Sequence, residues 1–102
     1  MSDAVGTAAP ERRRFELHVG GELVGWADYL PAGESVILAH TEVLDGHEGE
    51  GLGGLLVRSV LEQLRARGTT VIPTCPFAAA WIHRHPEYAA DVAPALRGQF
   101  AG

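Results

Sequence analysis

From Arg14 to Val19 apolar and polar residues alternate, the period-two pattern of a half-exposed strand. Gly20-Gly21 interrupts the pattern and Glu22 to Leu30 resumes it, so the two glycines mark a tight hairpin. Pro31-Ala32-Gly33-Glu34 is a second turn and leads into Ser35 to Val43. These three runs predict an antiparallel meander. The period then changes. Leu52, Leu55, Leu56, Val60 and Leu64, joined by Val57 and Leu61, recur with helical spacing and predict an amphipathic helix from Leu52 to Arg67, packed on the sheet. Arg65 and Arg67 suit the negative end of its dipole, and Gly68 is a natural C-terminal cap. Thr69 to Ile72 is a short β-branched strand that Pro73 ends. Pro76 to His83 predicts a second helix, with Pro76 in its first turn and Pro86 closing it. The order is therefore β-β-β-α-β-α. This is an α/β (α+β) chain, a mixed sheet whose antiparallel meander is joined by parallel strands on either side of the long helix.

The ends of the chain lack such periodicity. Met1 to about Glu11 is small and polar and reads as a disordered tail. Residues 12–95 form the expected domain, and 96–102 read as a loose C-terminal tail after a short helical turn. A length of 102 residues suits one domain with one core, and 46% hydrophobic with 21% charged residues is the composition of an ordinary globular protein. No apolar run approaches the ~20 residues of a membrane span, and Met1 to Pro10 lacks the design of a signal peptide.

Charge and cysteine content narrow the function. A net charge of −5 argues against general nucleic-acid binding, and Arg12-Arg13-Arg14 reads as a solvated entry to the first strand. The single cysteine, Cys75, forms no internal disulfide and makes no zinc site, so no metal is expected and a reducing, cytoplasmic setting is.

The candidate chemistry lies where strand meets helix. Glu48-Gly49-Glu50-Gly51-Leu52-Gly53-Gly54 joins the third strand to the long helix. A glycine-rich turn there bares backbone N–H groups at the positive end of a helix dipole, a site for phosphate or pyrophosphate. A Cβ at those positions would hold an anion away from the backbone. Cys75 precedes the second helix, whose dipole favours a thiolate. It reads either as a reactive group or as a small buried hydrophobe. His40 shares one face with Val36, Leu38 and Glu42 by simple alternation, so Glu42 could orient it as a general base. Taken alone it reads more readily as a histidine satisfied within the sheet, or as an exposed one. Trp26, Phe77 and Trp81 read as core or lid packing. His83, His85 and Arg84 match no structural zinc spacing, while Arg84, His83 or His47 could approach a phosphate.

Four motifs in order carry a resemblance: the glycine loop, His40-Thr41-Glu42-Val43, Pro73-Thr74-Cys75-Pro76-Phe77 and His85-Pro86-Glu87-Tyr88. Over roughly Phe15 to Asp91 the chain resembles the GNAT superfamily of acyl-CoA-dependent N-acetyltransferases, in its small single-domain branch. The resemblance implies acetyl-CoA (or CoA) as co-substrate and a small-molecule or peptide amine as acceptor. Gly49, Glu50, Gly51, Leu52, Gly53 and Gly54 would hold the pyrophosphate, and the pantetheine arm would run beside Val43 and Leu44. The parallel strands ending near Val43 and Cys75 would splay apart around the thioester, beside His40 and Cys75. Two departures stand out. Glu48 occupies the place of a usual Arg or Gln, and Glu50 one where a basic residue is common. Each carboxylate repels pyrophosphate by about 1 kcal/mol when exposed and screened. The N-terminal helices that shape the acceptor pocket of larger family members are also missing.

Three functions remain open at this level. The leading one is acetyl transfer to an amine, direct or through Cys75. The second is a non-catalytic CoA or acyl-CoA binding module, and the third an interaction domain with no CoA. No nucleic acid or membrane partner is expected, and a monomer or weak homodimer is.

Overall fold

The structure, a computed structural model, describes residues 4–44, 46 and 51–100. Its sheet has five strands in the order β1-β2-β3-β4-β5: β1 Ala4–Ala9, β2 Arg14–Val19, β3 Glu22–Ala32, β4 Ser35–Val43 and β5 Thr70–Pro73. The first four pair antiparallel and β4 pairs parallel with β5. Helix α1, Leu52–Ala66, crosses between β4 and β5, and α2, Pro76–Arg84, follows β5. No described helix is long and apolar enough to cross a membrane.

Local chemistry accounts for the turns. Gly20 and Gly21 both have positive φ, 58° and 84°, as a two-residue type I′ hairpin requires. Helix α1 ends in a Schellman motif: Gly68 at φ 70° donates to Arg65 O (3.0 Å) and Thr69 donates to Leu64 O (2.9 Å). Its Leu52, Leu56, Val57, Val60, Leu61 and Leu64 are buried against the sheet, where Phe15, Leu17, Ala27, Leu38 and Val71 close the core.

Both expected tails are corrected. Ala4–Ala9 is not a disordered segment but an edge strand, aligned Ala4↔Val19 through Ala9↔Arg14. Short, uncharged residues let it lie close under α1. A Cβ on Gly6 would fall 1.8 Å from Ser59 Oγ and 2.8 Å from Ser59 Cβ, so any larger residue would force the strand and α1 to shift apart. Pro10–Arg12 then form a single 3-10 turn that reverses the chain into β2. At the other end the chain stays packed as far as Phe100. Pro86–Asp91 form a 3-10 segment, Val92 bridges Val71 in parallel, and Ala93 donates to Val71 O (2.8 Å). Phe100 is buried and stacks on His83 at 4.4 Å, so residues 96–100 are not a loose tail. Arg65 clamps this segment to α1 by two hydrogen bonds to the Asp91 carboxylate.

Candidate functional site

The site begins where the two parallel strands part. Pairing of β4 with β5 stops at Leu38↔Pro73. The chain after β5 turns in, so that Thr74 and Cys75 both donate their N–H to Leu38 O, at 3.2 and 3.0 Å. Beyond Leu38, β4 runs on to Val43 with a strand partner on its β3 side alone among the described residues. The open edge of this stretch leaves alternate backbone N–H and C=O groups for an extended ligand.

A β-bulge decides which side chains face this gap. Asp28 pairs with His40 and Tyr29 with Leu38, so Ala39 is an extra residue on β4. The alternation is reset there. Leu38 is buried in the core, and Thr41, opposite the buried Ala27, returns to the same face. His40 and Glu42 fall on the opposite, helix-free face. This corrects the simple alternation, which placed His40 and Glu42 with Val36 and Leu38. The bulge brings Thr41 to Cys75 instead, with Oγ1 3.6 Å from Sγ. His40 Nε2 lies 2.9 Å from Glu42 Oε1, both side chains about half exposed, so the expected His–Glu pair is present but apart from the thiol.

Cys75 is the N-cap residue of α2 and is buried. Burial pushes its thiol pKa up. The backbone N–H of Ala78, the Thr41 hydroxyl and the backbone of Phe77 and Thr41 outweigh that effect and bring it below the usual thiol value. The sulfur at the end of the gap is therefore easier to deprotonate than an ordinary buried thiol.

The other end is the start of α1. Gly51, at φ 74°, is its N-cap, and a Cβ there would meet nothing within 4 Å. The first bond of the helix runs from Leu55 N–H to Gly51 O (3.2 Å), so the N–H groups of Leu52, Gly53 and Gly54 have no helical acceptor. Gly49 and Glu50, with Glu48 and His47, lie outside the described residues. Gly53 and Gly54 have a role that the sequence reading did not assign. A Cβ on Gly53 would stand 2.7 Å from Phe77 Cζ, and one on Gly54 would stand 3.0 Å from Trp81 Nε1. These glycines admit two aromatic rings of α2 against the first turn of α1. Val43 is partly buried at the end of β4, and Leu44 N–H donates to Val24 O (2.8 Å), which ties the strand end to β3.

The remaining candidates have structural partners. Trp81 belongs to the core, with His85 stacked on it at 3.9 Å and Tyr88 at 5.0 Å. Trp26 receives the Arg14 guanidinium at 4.8 Å on the helix-free face. Among the described residues no three metal-ligating side chains gather. Sequence reasoning missed Thr41, because a one-residue bulge leaves no mark in a hydrophobic pattern.

A family model described as GCN5-related N-acetyl-transferase matches residues 14–92. Comparison with curated proteins returns no match. Among solved structures, a GCN5-like N-acetyltransferase from Staphylococcus aureus, itself described as putative, superposes at TM-score 0.64 with 23% identity, over 90% of this chain and 89% of that one. The ribosomal-protein-S18-alanine N-acetyltransferase of Escherichia coli superposes at TM-score 0.53 with 22% identity, over 60% of this chain and 41% of that one. The ribosomal-protein-alanine N-acetyltransferase of Brucella melitensis superposes at 0.52 with 22% identity, over 87% and 60%. The chain thus spans less than two thirds of both of these longer enzymes, and the likeness is one of fold.

Proposed function

The chain belongs to the GCN5-related N-acetyltransferase family, and from that premise we propose that it transfers the acetyl group of acetyl-CoA to an amine, directly or through Cys75. One observation carries the reading: the parting of β4 and β5 at Leu38 leaves a backbone-lined slot with Cys75 and Thr41 at one end. The donor-rich start of α1 supplies the anion site that such a slot requires.

The residues suit the substrate. N–H groups of Leu52, Gly53 and Gly54 offer three donors for a pyrophosphate, and Gly51 leaves its approach open. The free edge of β4 up to Val43 suits the two amides of a pantetheine arm, paired as an added strand would be. The substrate brings an activated thioester carbonyl. In the direct route the amine attacks that carbonyl, His40 takes the amine proton while Glu42 orients its ring, and CoA leaves as a thiolate that the Cys75 thiol protonates. In the covalent route the Cys75 thiolate attacks first, CoA leaves, and the amine then takes the acetyl group from sulfur.

A second reading, a CoA-binding module without turnover, is favoured by a different observation. His40 and Cys75 stand on opposite faces of the sheet, so they form no base–thiol pair. Calorimetric titration with acetyl-CoA, followed by turnover on a panel of amines and peptide N-termini, separates the two. Binding at ~10 μM or tighter, roughly −7 kcal/mol, with acetylated product is the expected result. Binding without product across the panel selects the module, and no binding at millimolar acetyl-CoA overturns both. Rapid-quench mass spectrometry then distinguishes the routes by an acetyl group on Cys75.

A further inference from the structure

Among the described residues Phe77 is one of the few large apolar side chains left in the open, with 42% of its surface exposed. Its place in the fold is unusual for an exposed ring. It is the second residue of α2, and its backbone N–H helps to lower the pKa of the Cys75 thiol. Its ring tip lies against the Cα of Gly53 in the first turn of α1, where a Cβ would stand 2.7 Å from Cζ and 3.1 Å from Cε2. Backbone and ring of one residue therefore join the two helix N-termini, one beside the thiol and one beside the anion site. Trp81, one turn further along α2, makes the matching approach to Gly54 but is buried in the core. Packing alone accounts for Trp81. It does not account for a neighbouring ring held in place by a glycine and yet left wet.

We infer that Phe77 is the apolar wall of the pantetheine channel, a binding residue that covers the arm between pyrophosphate and thioester. The inference rests on the acetyl-CoA reading above. A ligand whose anion sits at the start of α1 and whose thioester sits beside Cys75 must run its arm past this ring. The open edge of β4 offers hydrogen bonds to the arm's amides on one side, and Phe77 offers apolar cover to its methylenes and gem-dimethyl group on the other. Covering the exposed part of the ring removes apolar surface from water, which favours binding. Gly53 then has a second duty besides donating its N–H, because any side chain there would push the ring out of the channel.

The test compares acetyl-CoA with its nucleotide half, adenosine 3′-phosphate 5′-diphosphate, by calorimetry on the wild type, Phe77→Ala and Phe77→Leu. The expected result is a loss of roughly tenfold in acetyl-CoA affinity for Phe77→Ala, little change for the nucleotide half, and affinity largely regained in Phe77→Leu. Equal losses for both ligands would make the ring a spacer between helices and overturn the inference. Unchanged acetyl-CoA affinity in Phe77→Ala would overturn it as well. A wild type that binds neither ligand would instead overturn the acetyl-CoA reading itself, a failure visible before any variant is made.

Discussion

Cys75 owes its character to four hydrogen bonds and one bulge. Burial alone would raise its pKa, and the backbone of Ala78, Phe77 and Thr41 together with the Thr41 hydroxyl reverse the sign. Thr41→Val should therefore raise the thiol pKa toward the ordinary value, which the pH dependence of thiolate ultraviolet absorbance measures. An unchanged midpoint would mean that backbone groups alone, those of the α2 N-terminus and of Thr41, activate the sulfur. Glu16 poses the opposite problem, a carboxylate buried on the helix-free face of the sheet. The Arg14 side chain bonds it at 2.8 Å, which outweighs burial, and Arg12 adds a second bond at 3.1 Å, so its pKa lies below the usual value. A folded pKa depressed in this way adds stability above the unfolded pKa of about 4.3, and that stability is lost as pH falls through the folded value. Melting temperature should drop between about pH 5 and about pH 3, and Glu16→Gln should show a shallower drop.

At the scale of elements, α1 reads from its hydrophobic spacing to within a residue of its observed end, because a helix packed along its length needs that spacing. Its glycines did not read as well. Gly53 and Gly54 suggested an anion cradle, and the structure adds that α2 needs them bare. Alanine for glycine inside a helix usually gains about 0.5–1 kcal/mol. At Gly54 the new Cβ would press Trp81, which is buried and packed against His85 and Tyr88. Overpacking of this kind costs about 1–3 kcal/mol, so Gly54→Ala should lower the melting temperature. A rise would show that Trp81 yields. The edge strand β1 was illegible for a related reason. Ala4–Ala9 has too little hydrophobicity to declare itself, and it is ordered by its ladder to β2 and by the close approach of Gly6 to Ser59.

Across the whole molecule, the C-terminal segment decides where the slot ends. Val92 occupies the outer edge of β5 at Val71, so β5 is held on both sides while β4 is released after Leu38. The Arg65–Asp91 clamp holds that segment on α1, and its Asp91 carboxylate is buried. Charge-assisted bonding to Asp91 raises the pKa of Arg65 further above its already high value. Asp91→Ala should cost about 1–3 kcal/mol, read as a lower midpoint in urea unfolding with an unchanged slope. It should also weaken acetyl-CoA binding, because β5 loses its outer support. A variant that unfolds earlier but binds as the wild type does would show that the slot keeps its shape without the clamp.

The sequence by itself determined the mixed α/β class, the meander, both helices, the hairpin at Gly20-Gly21 and the motifs that carry the family resemblance. Each of these is written in local terms, as periodicity, turn chemistry or short-range spacing. Only the tertiary structure decided which face His40 and Thr41 present, that Ala4–Ala9 is a strand, that the chain packs as far as Phe100 and that Phe77 spans two helix starts. A bulge, an edge ladder and an inter-helix contact depend on partners many residues away. Their energies come from pairing and close packing rather than from the residue's own preference, and a hydrophobic pattern carries no record of them.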